Sequence, residues 1–491
     1  MKVQDTLYSA AQVRELDRRA IHEQGIASGE LMARAGAAVY LALRARYPRA
    51  RRLAVVCGPG NNGGDGYVVA RLAKQDGLEP TVYALGDPAR ASAEAAAARR
   101  HAVAAGVTVQ PFGAPPLRTD VIVDALLGIG LERAVQNEWR AAIDAMNQSG
   151  APIVAVDIPS GLHADSGAVM GTAVRAHVSV CFIGYKIGLF TGAGREQAGE
   201  ILFDDLGVPR EAYRDVVPLA RRITLDDLGG LVPRRVRDAH KGLFGQVLVV
   251  GGGRGMIGAA RLSGEAAYRA GAGLVSLAVH PTHSGFADRP ELIAHAVQSV
   301  KDLKPLLANA SVVALGPGLS QDAWARRLFT AALASKRPLV VDADGLNLLA
   351  RRPAKRRDWV LTPHPGEAAR LLKTNASEIQ RDRRAAAHAI VKRYGGVCVL
   401  KGSGTLVVDE NATWLCDAGN PGMASGGSGD VLTGVIAALR AQGLGALDAA
   451  RFGVWLHATA ADRVAQRDGE IGLLARDVIP LVREELNRMA R

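Results

Sequence analysis

The feature that most constrains this chain is a recurrence. Short runs rich in valine and isoleucine, each closing on a glycine-bearing loop, alternate with longer stretches whose apolar residues fall at helical spacing. In the first half the runs are residues 53–57, 121–124, 153–157 and 178–183. In the second half they are 247–250, 274–279, 312–315, 339–342, 360–362 and 397–400, and 427–439 reads as a helix after a glycine-rich turn. Apolar runs without polar alternation suit strands buried on both faces, which is how a parallel sheet sits between two helical layers. The expected class is therefore α/β. Ser9 and Gln12, ahead of Val13, Leu16, Ala20 and Ile21 at helical spacing, read as a capping box opening a first helix.

At 491 residues the chain is too long for one ordinary core. A proline- and charge-rich stretch from about 204 to 237, with Pro209, Pro218 and Pro233, reads as a linker. The expected domains are residues 1–220 and 221–491. No apolar stretch approaches the roughly 18 residues of a membrane span, and the start carries no apolar run like a signal peptide's. A soluble cytoplasmic protein without a membrane partner is expected. Cys57, Cys181, Cys398 and Cys416 form no CxxC pair and read as free buried thiols. The net charge of +12 is carried by scattered arginines with no interleaved aromatics, so no nucleic-acid partner is expected; small phosphorylated anions fit better.

Cys57-Gly-Pro-Gly-Asn-Asn-Gly-Gly-Asp-Gly66 follows one run and precedes a helical stretch, 67–74. Glycines let backbone turn sharply beside a ligand, and free N–H groups at a helix start attract anions. It is not GxGxxG, so an ordinary nicotinamide fingerprint is a poor match. Asp124 and Asp157 end two further runs, the latter followed by Ser160 and Gly161. Ligands of open α/β sheets lie beyond the carboxyl ends of strands. Asn61, Asn62, Asp65, Asp124, Asp157 and Ser160 are thus expected to converge on one crevice.

GPGNNGGDG, VDALLGIG, VDIPSGLHADSG and GYKIGLFTGAG, in that order across residues 9–215, resemble the NAD(P)H-hydrate epimerase family. The resemblance implies a Rossmann-like three-layer sandwich. It places the hydrated cofactor against Asn61, Asn62, Gly63, Gly64 and Asp65, against Gly128, Ile129, Gly130, Leu131, Glu132, Arg133 and Ala134, and against a catalytic Asp157. A potassium ion would lie at Asn62, Asp124 and Ser160. Lys186 is a further candidate contact, a surface lysine being its ordinary alternative.

Asn420-Pro-Gly-Met-Ala-Ser-Gly-Gly-Ser-Gly-Asp-Val-Leu-Thr-Gly434 sets Asp430 in the first turn of a helix behind a glycine-rich cradle, where N–H groups hold phosphate and a carboxylate can take a hydroxyl proton. This resembles the ribokinase-like superfamily. Lys401-Gly-Ser-Gly-Thr405, Thr362-Pro-His-Pro-Gly-Glu367, Val341-Asp-Ala-Asp-Gly-Leu-Asn347, Gly316-Pro-Gly318 and Arg269-Ala-Gly-Ala-Gly-Leu274 narrow it to the ADP- or ATP-dependent NAD(P)H-hydrate dehydratase branch over residues 225–489. Gly345 and Ser428 depart from residues common elsewhere in the superfamily. The resemblance implies substrate contacts at Ala272, Gly318, His364 and Asp430. Lys401, Gly402, Ser403, Gly404, Thr405 and Gly429 would meet the nucleotide, with Asp430 catalytic. Capping a loop is the ordinary alternative for His364.

Such a pair implies repair: epimerisation of the R and S hydrates NADHX and NADPHX, then dehydration of the S form with ADP or ATP as co-substrate and Mg2+ offsetting its charge. K+ is implied in the first domain and a homo-oligomer is expected. A small-molecule kinase of the hydroxyethylthiazole or ribokinase type is the rival for the second half, and a non-enzymatic binding module for the first.

Overall fold

The computed structural model describes residues 3–113, 117–232, 235–283 and 289–490. The chain forms two compact units, Met1–Arg221 and Arg222–Arg491.

The first unit is built on seven strands: β1 (Arg52–Cys57), β2 (Glu79–Ala84), β3 (Thr108–Pro111), β4 (Val121–Ala125), β5 (Ile153–Val156), β6 (Val178–Phe182) and β7 (Glu200–Asp204). They lie side by side in the order β3-β2-β1-β4-β5-β6-β7, and every neighbouring pair is parallel. Chain order reverses between β1 and β4, so their carboxyl ends flank a crevice. Separate apolar clusters fill the two faces, one around Val55, Val123 and Val156 and the other around Val56, Ile122 and Ala155. That is the three-layer arrangement. Ser9 and Gln12 do form a capping box at the start of the helix Ala10–His22.

The second unit repeats the plan with β8 (Gln246–Val250), β9 (Leu274–Val279), β10 (Ile293–Ala296), β11 (Val312–Leu315), β12 (Leu339–Val341), β13 (Trp359–Leu361), β14 (Val397–Leu400), β15 (Thr405–Val408) and β16 (Thr413–Cys416). Their order is β10-β9-β8-β11-β12-β13-β14-β15-β16, parallel through β14 and antiparallel in the closing hairpin. Here the reversal falls between β8 and β11. Among the described residues no helix is long and apolar enough to cross a membrane.

Two expectations need correction. The helix after β1 begins at Asn61, not near Tyr67, so Gly63, Gly64 and Gly66 are helical and buried. Their role is close packing: a Cβ on Gly63 would lie 1.9 Å from the Gly58 carbonyl oxygen, and one on Gly66 2.5 Å from the Ala125 Cβ. The stretch from 204 is no linker at its start. Leu206, Val208 and Ala212 are buried in the first unit's core, and the Tyr213 hydroxyl donates to the Ile183 carbonyl. Of the prolines read as linker marks, Pro233 lies outside the described residues.

The helix Ser428–Ala441, which carries Asp430, packs on the helix Ile257–Arg269 at Gly434, where a Cβ would stand 2.0 Å from the Ser263 carbonyl oxygen. Overpacking of this kind typically costs about 1–3 kcal/mol. Gly434→Ala is therefore expected to destabilise the second unit by that amount, read as a lower denaturant midpoint. An unshifted midpoint would show that the two helices slide apart freely.

Candidate active sites

In the first unit the carboxyl ends of β1, β4, β5 and β6 and the helix Ala10–His22 enclose a cavity of about 620 Å³. Of the residues the sequence pointed to, Asn61, Asn62, Asp65, Gly128, Ile129, Gly130, Leu131, Glu132, Arg133, Asp157 and Lys186 line it. Gly63 and Gly64 support the helix from behind, and Ala134 is exposed outside the lining.

Asp157 directly follows β5 with φ +66°, a left-handed conformation that non-glycine residues adopt at some cost. Its Oδ1 accepts from the Phe182 amide at 3.1 Å and pairs with the Lys186 ammonium. Lys186 is no surface lysine: its side chain is 0% exposed and also donates to the Phe182 carbonyl at 3.0 Å. Burial disfavours that ammonium, yet attraction to Asp157 outweighs it and the lysine pKa is raised. Asp65 has the opposite fate. Burial, then the charges of Asp157 and Asp17, push its pKa well above the usual carboxylate range. Asp17, on the helix Ala10–His22, also lines the cavity; burial lifts it to about 6 against the pull of Lys186. Sequence reasoning missed Asp17, which sits in no glycine motif and at no strand end.

Asp124 and Ser160 lie just behind the cavity wall, both fully buried. The Ser160 hydroxyl donates to Asp124 Oδ1 at 2.6 Å and the Ser160 amide to Oδ2 at 2.8 Å, while the Leu127 amide donates to Ser160 Oγ at 2.7 Å. Asn62 packs against Gly128 next in that loop, and its buried amide nitrogen has no hydrogen-bond partner. Burial raises Asp124 to about 6 despite these donors. The Asp124 carboxylate, the Ser160 hydroxyl and the carbonyl oxygen of the Asn62 side chain beside Gly128 bring hard oxygen atoms together. That set fits a monovalent cation. No group of three or more His, Cys, Asp and Glu is placed to hold a metal ion among the described residues.

In the second unit the same rule of strand ends gathers Asp342 after β12, Thr362 to Glu367 after β13, Lys401 after β14 and the start of the helix Ser428–Ala441. Gly427, at φ +94°, turns the chain into that helix. The Lys401 ammonium bonds Asp342 Oδ1 at 2.7 Å and lies 3.8 Å from Glu367, while the Thr433 hydroxyl holds Asp342 Oδ2 at 2.9 Å. A Cβ on Gly429 would lie 3.0 Å from the Lys401 ammonium, so this charge stands beside the phosphate cradle. Asp430 is raised to about 7, chiefly by burial and then by Asp342, against the pull of Lys401. It is thus poised to exchange a proton near neutral pH.

His364 Nδ1 accepts from the Gly366 amide at 3.0 Å, and the Glu367 carboxylate accepts from the His364 amide at 2.8 Å, closing a capping box on the helix Pro365–Leu372. The capping alternative is therefore realised, while the side chain stays half exposed. Burial and then Lys401 lower its pKa, leaving a neutral imidazole. The loop between β14 and β15, with Gly402, Ser403 and Gly404, is pinned by Arg383, which is 1% exposed and donates to the Leu400, Lys401 and Gly404 carbonyls. Thr405 opens β15. Gly318 packs closely on Met256 and Ala259.

Ala272 does not join this edge. It precedes β9, at the amino end of the strands, and sits in the core with its amide donating to the Ala267 carbonyl. An arginine-alanine-glycine turn before a parallel strand necessarily lies at the sheet end opposite the site; the alanine beside Gly318 is Ala259. Asp342 and Glu367 were missed as site members although both stand within quoted motifs.

Fold and geometry together define a two-part α/β enzyme, one part with a carboxylate-lined cleft and one with a phosphoryl-transfer cradle. Residues 28–188 match the YjeF-related protein N-terminus family and residues 247–482 the NAD(P)H-hydrate dehydratase family. The bifunctional NAD(P)H-hydrate repair enzyme of Coxiella burnetii is 49% identical over 485 residues, covering 98% of this chain and 99% of its own. The enzyme of that name from Escherichia coli is 43% identical, covering 99% and 95%. A ribokinase-like superfamily protein from Enterococcus faecalis, 27% identical with a TM-score of 0.51, covers 55% of this chain and 96% of its own. The chain belongs to the family of bifunctional NAD(P)H-hydrate repair enzymes.

Proposed function

We propose that this chain repairs hydrated NADH and NADPH at two separate sites. The first unit equilibrates the R and S forms at C6, and the second dehydrates the S form at the expense of ADP or ATP. The observation that carries the reading is Asp430, raised to about 7 in the first turn of the helix Ser428–Ala441 beside Lys401. Helix N–H groups there suit the transferring phosphoryl group, and the carboxylate takes the proton of the C6 hydroxyl as the new P–O bond forms. Phosphate then leaves in place of hydroxide: the C6–O bond breaks, a C5 proton is lost to solvent, and its bonding pair forms the C5–C6 double bond. His364, Gly318 and Asp430 are assigned to the hydrated ring; residues 401–405 and Gly429 are assigned to the nucleotide. Mg2+ would neutralise charge on the nucleotide phosphates and would need no more than one or two carboxylates of the protein.

In the first unit Asp157 receives the C6 hydroxyl proton, paired with and oriented by Lys186. Asn61, Asn62, Asp65 and the segment Gly128 to Arg133 line the space for the hydrated nicotinamide. Asn62, Asp124 and Ser160 would hold K+, whose positive charge steadies the loops after β4 and β5. Epimerisation is therefore expected to rise with KCl but not with choline chloride. Asp124→Asn, which keeps the shape and removes the charge, should raise the potassium concentration needed at least about tenfold, the equivalent of some 1.4 kcal/mol. Because burial holds Asp124 near 6, the proton competes with the cation, and potassium affinity should weaken as pH falls below about 6. An identical potassium response in the variant would refute the assignment.

The direct test is NADPH-hydrate supplied with ADP or ATP and followed at the absorbance of reduced nicotinamide. Recovery of NADPH with release of phosphate supports the reading. A stable phosphorylated metabolite would return the second unit to the small-molecule kinases.

A further inference from the structure

Asp157 is not free to do all the proton work. Among the described residues its hydrogen-bond partners, the Phe182 amide and the Lys186 ammonium, both bind Oδ1, and its backbone is fixed at the end of β5. Only Oδ2 is left for a substrate proton. Asp17 enters the same cavity from a different element, the helix Ala10–His22, and makes no hydrogen bond or ion pair among the described residues. It lies outside the span matched to the family of the first unit. We propose that Asp17 is a second proton-transferring residue of C6 epimerisation, serving the ring nitrogen while Asp157 serves the C6 hydroxyl. The proposal rests on the epimerase reading of the first unit.

The step balances without any co-reactant. On opening, the C6–N1 bond breaks and its electron pair goes to N1, which takes a proton from the Asp17 carboxyl. The hydroxyl proton passes to Asp157 as the C6–O bond becomes a carbonyl. Rotation about C5–C6 presents the other carbonyl face to N1. Reclosure forms the C6–N1 bond, returns the proton from N1 to Asp17 and that from Asp157 to oxygen. Both carboxylates end as they began. Two fixed groups are needed because the two protons leave and arrive at atoms on either side of C6, and proton transfer requires hydrogen-bond reach.

The charged and titratable groups around Asp17 are Asp65 from the helix Asn61–Gln75, Asp157 after β5, Lys186, the Tyr213 hydroxyl and Arg14 of its own helix. Burial, helped by the Asp157 charge and opposed by Lys186, holds its pKa near 6, so it can act as acid and as base near neutral pH.

The test uses the full chain without nucleotide, measuring R/S equilibration against pH for the wild type and for Asp17→Asn, Asp17→Glu, Asp65→Asn and Asp157→Asn. Asp17→Asn is expected to lower kcat at least about 100-fold. KM should hold within about threefold, and the limb of the pH profile near 6 should vanish. Loss of a buried charge among carboxylates should leave the melting temperature at pH 8 equal to or above the wild type's. Should the asparagine variant nevertheless fail to fold, Asp17→Glu decides: kcat lowered with the limb retained supports the role, and unchanged kcat overturns it. A folded Asp17→Asn that equilibrates the epimers within about threefold of wild type, or keeps the limb while Asp65→Asn loses it, also overturns it. A wild type that accelerates nothing condemns the epimerase reading instead. Collapse in Asp157→Asn with Asp17→Asn intact condemns only the present inference.

Discussion

Asp430→Asn is expected to abolish most nucleotide-dependent recovery of NAD(P)H while leaving epimerisation intact. Positioned general bases contribute about 10² to 10⁴-fold, and single-turnover dehydration of the S hydrate should fall by that factor with nucleotide binding retained. The wild-type rate should rise with pH through about 7, because the carboxyl must ionise to accept the hydroxyl proton; the residual rate of the variant should lack that limb. Stability should move the other way. A folded-state pKa raised from 3.8 to about 7 means that the native state holds a proton the unfolded chain has released. Its stabilising contribution is full below the unfolded value and lost as pH rises through about 7. The asparagine variant escapes that loss, so its melting temperature should exceed the wild type's at pH 8 and converge with it near pH 4. The limit is about 4 kcal/mol, from about 1.4 kcal/mol per unit. A folded variant retaining most of the rate would move the proton acceptor elsewhere, with His364 the first place to look.

Asp157→Asn is expected to lower epimerisation by about 10² to 10⁴-fold and to leave S-hydrate dehydration unchanged. Asparagine suits the site's backbone, since it tolerates the left-handed region better than most residues. It does not suit Lys186, which is then left buried without a counter-ion; removing one partner of such a pair typically costs about 3–5 kcal/mol. An amide oxygen can still accept from Lys186 and the Phe182 amide, which places the expected cost at the lower end. The double variant Asp157→Asn, Lys186→Met should recover stability but not activity. Recovery of epimerisation in the double variant would mean that the ion pair is structural. Loss of S-hydrate dehydration along with epimerisation would break the division into two sites.

The strands at the centre of each sheet were legible because both their faces are buried. Leu274–Val279, Val312–Leu315 and Val397–Leu400 coincide with the apolar runs. Three of the strands that escaped notice lie at an edge: Thr108–Pro111 is exposed along most of its length, Glu200–Asp204 is half buried, and Ile293–Ala296 reads IAHA. One-sided burial removes the unbroken apolar run that marks a parallel strand. Asp157 and Asp430, the carboxylates to which we assign the proton transfers, were legible because the carboxyl ends of strands and a glycine-rich helix start are positions that parallel sheets reserve for ligands. Asp17 was not, because a helix face shows its destination only when the fold is known. Ala272 misled because a glycine-rich turn at the amino end of a strand looks, in sequence, like one at the carboxyl end. Gly63 and Gly66 read as loop residues, whereas close helix–sheet packing is what excludes a side chain there.

The most direct test of two cooperating repair sites is the extent of NADPH recovery from a defined mixture of R and S hydrates with ADP or ATP in excess. In a time shorter than spontaneous epimerisation, the wild type should convert both forms to completion. Asp157→Asn should stop once the S portion is consumed, and Asp430→Asn should recover nothing while still equilibrating the epimers. Complete conversion of the R form by the Asp157 variant at the wild-type rate would contradict the account.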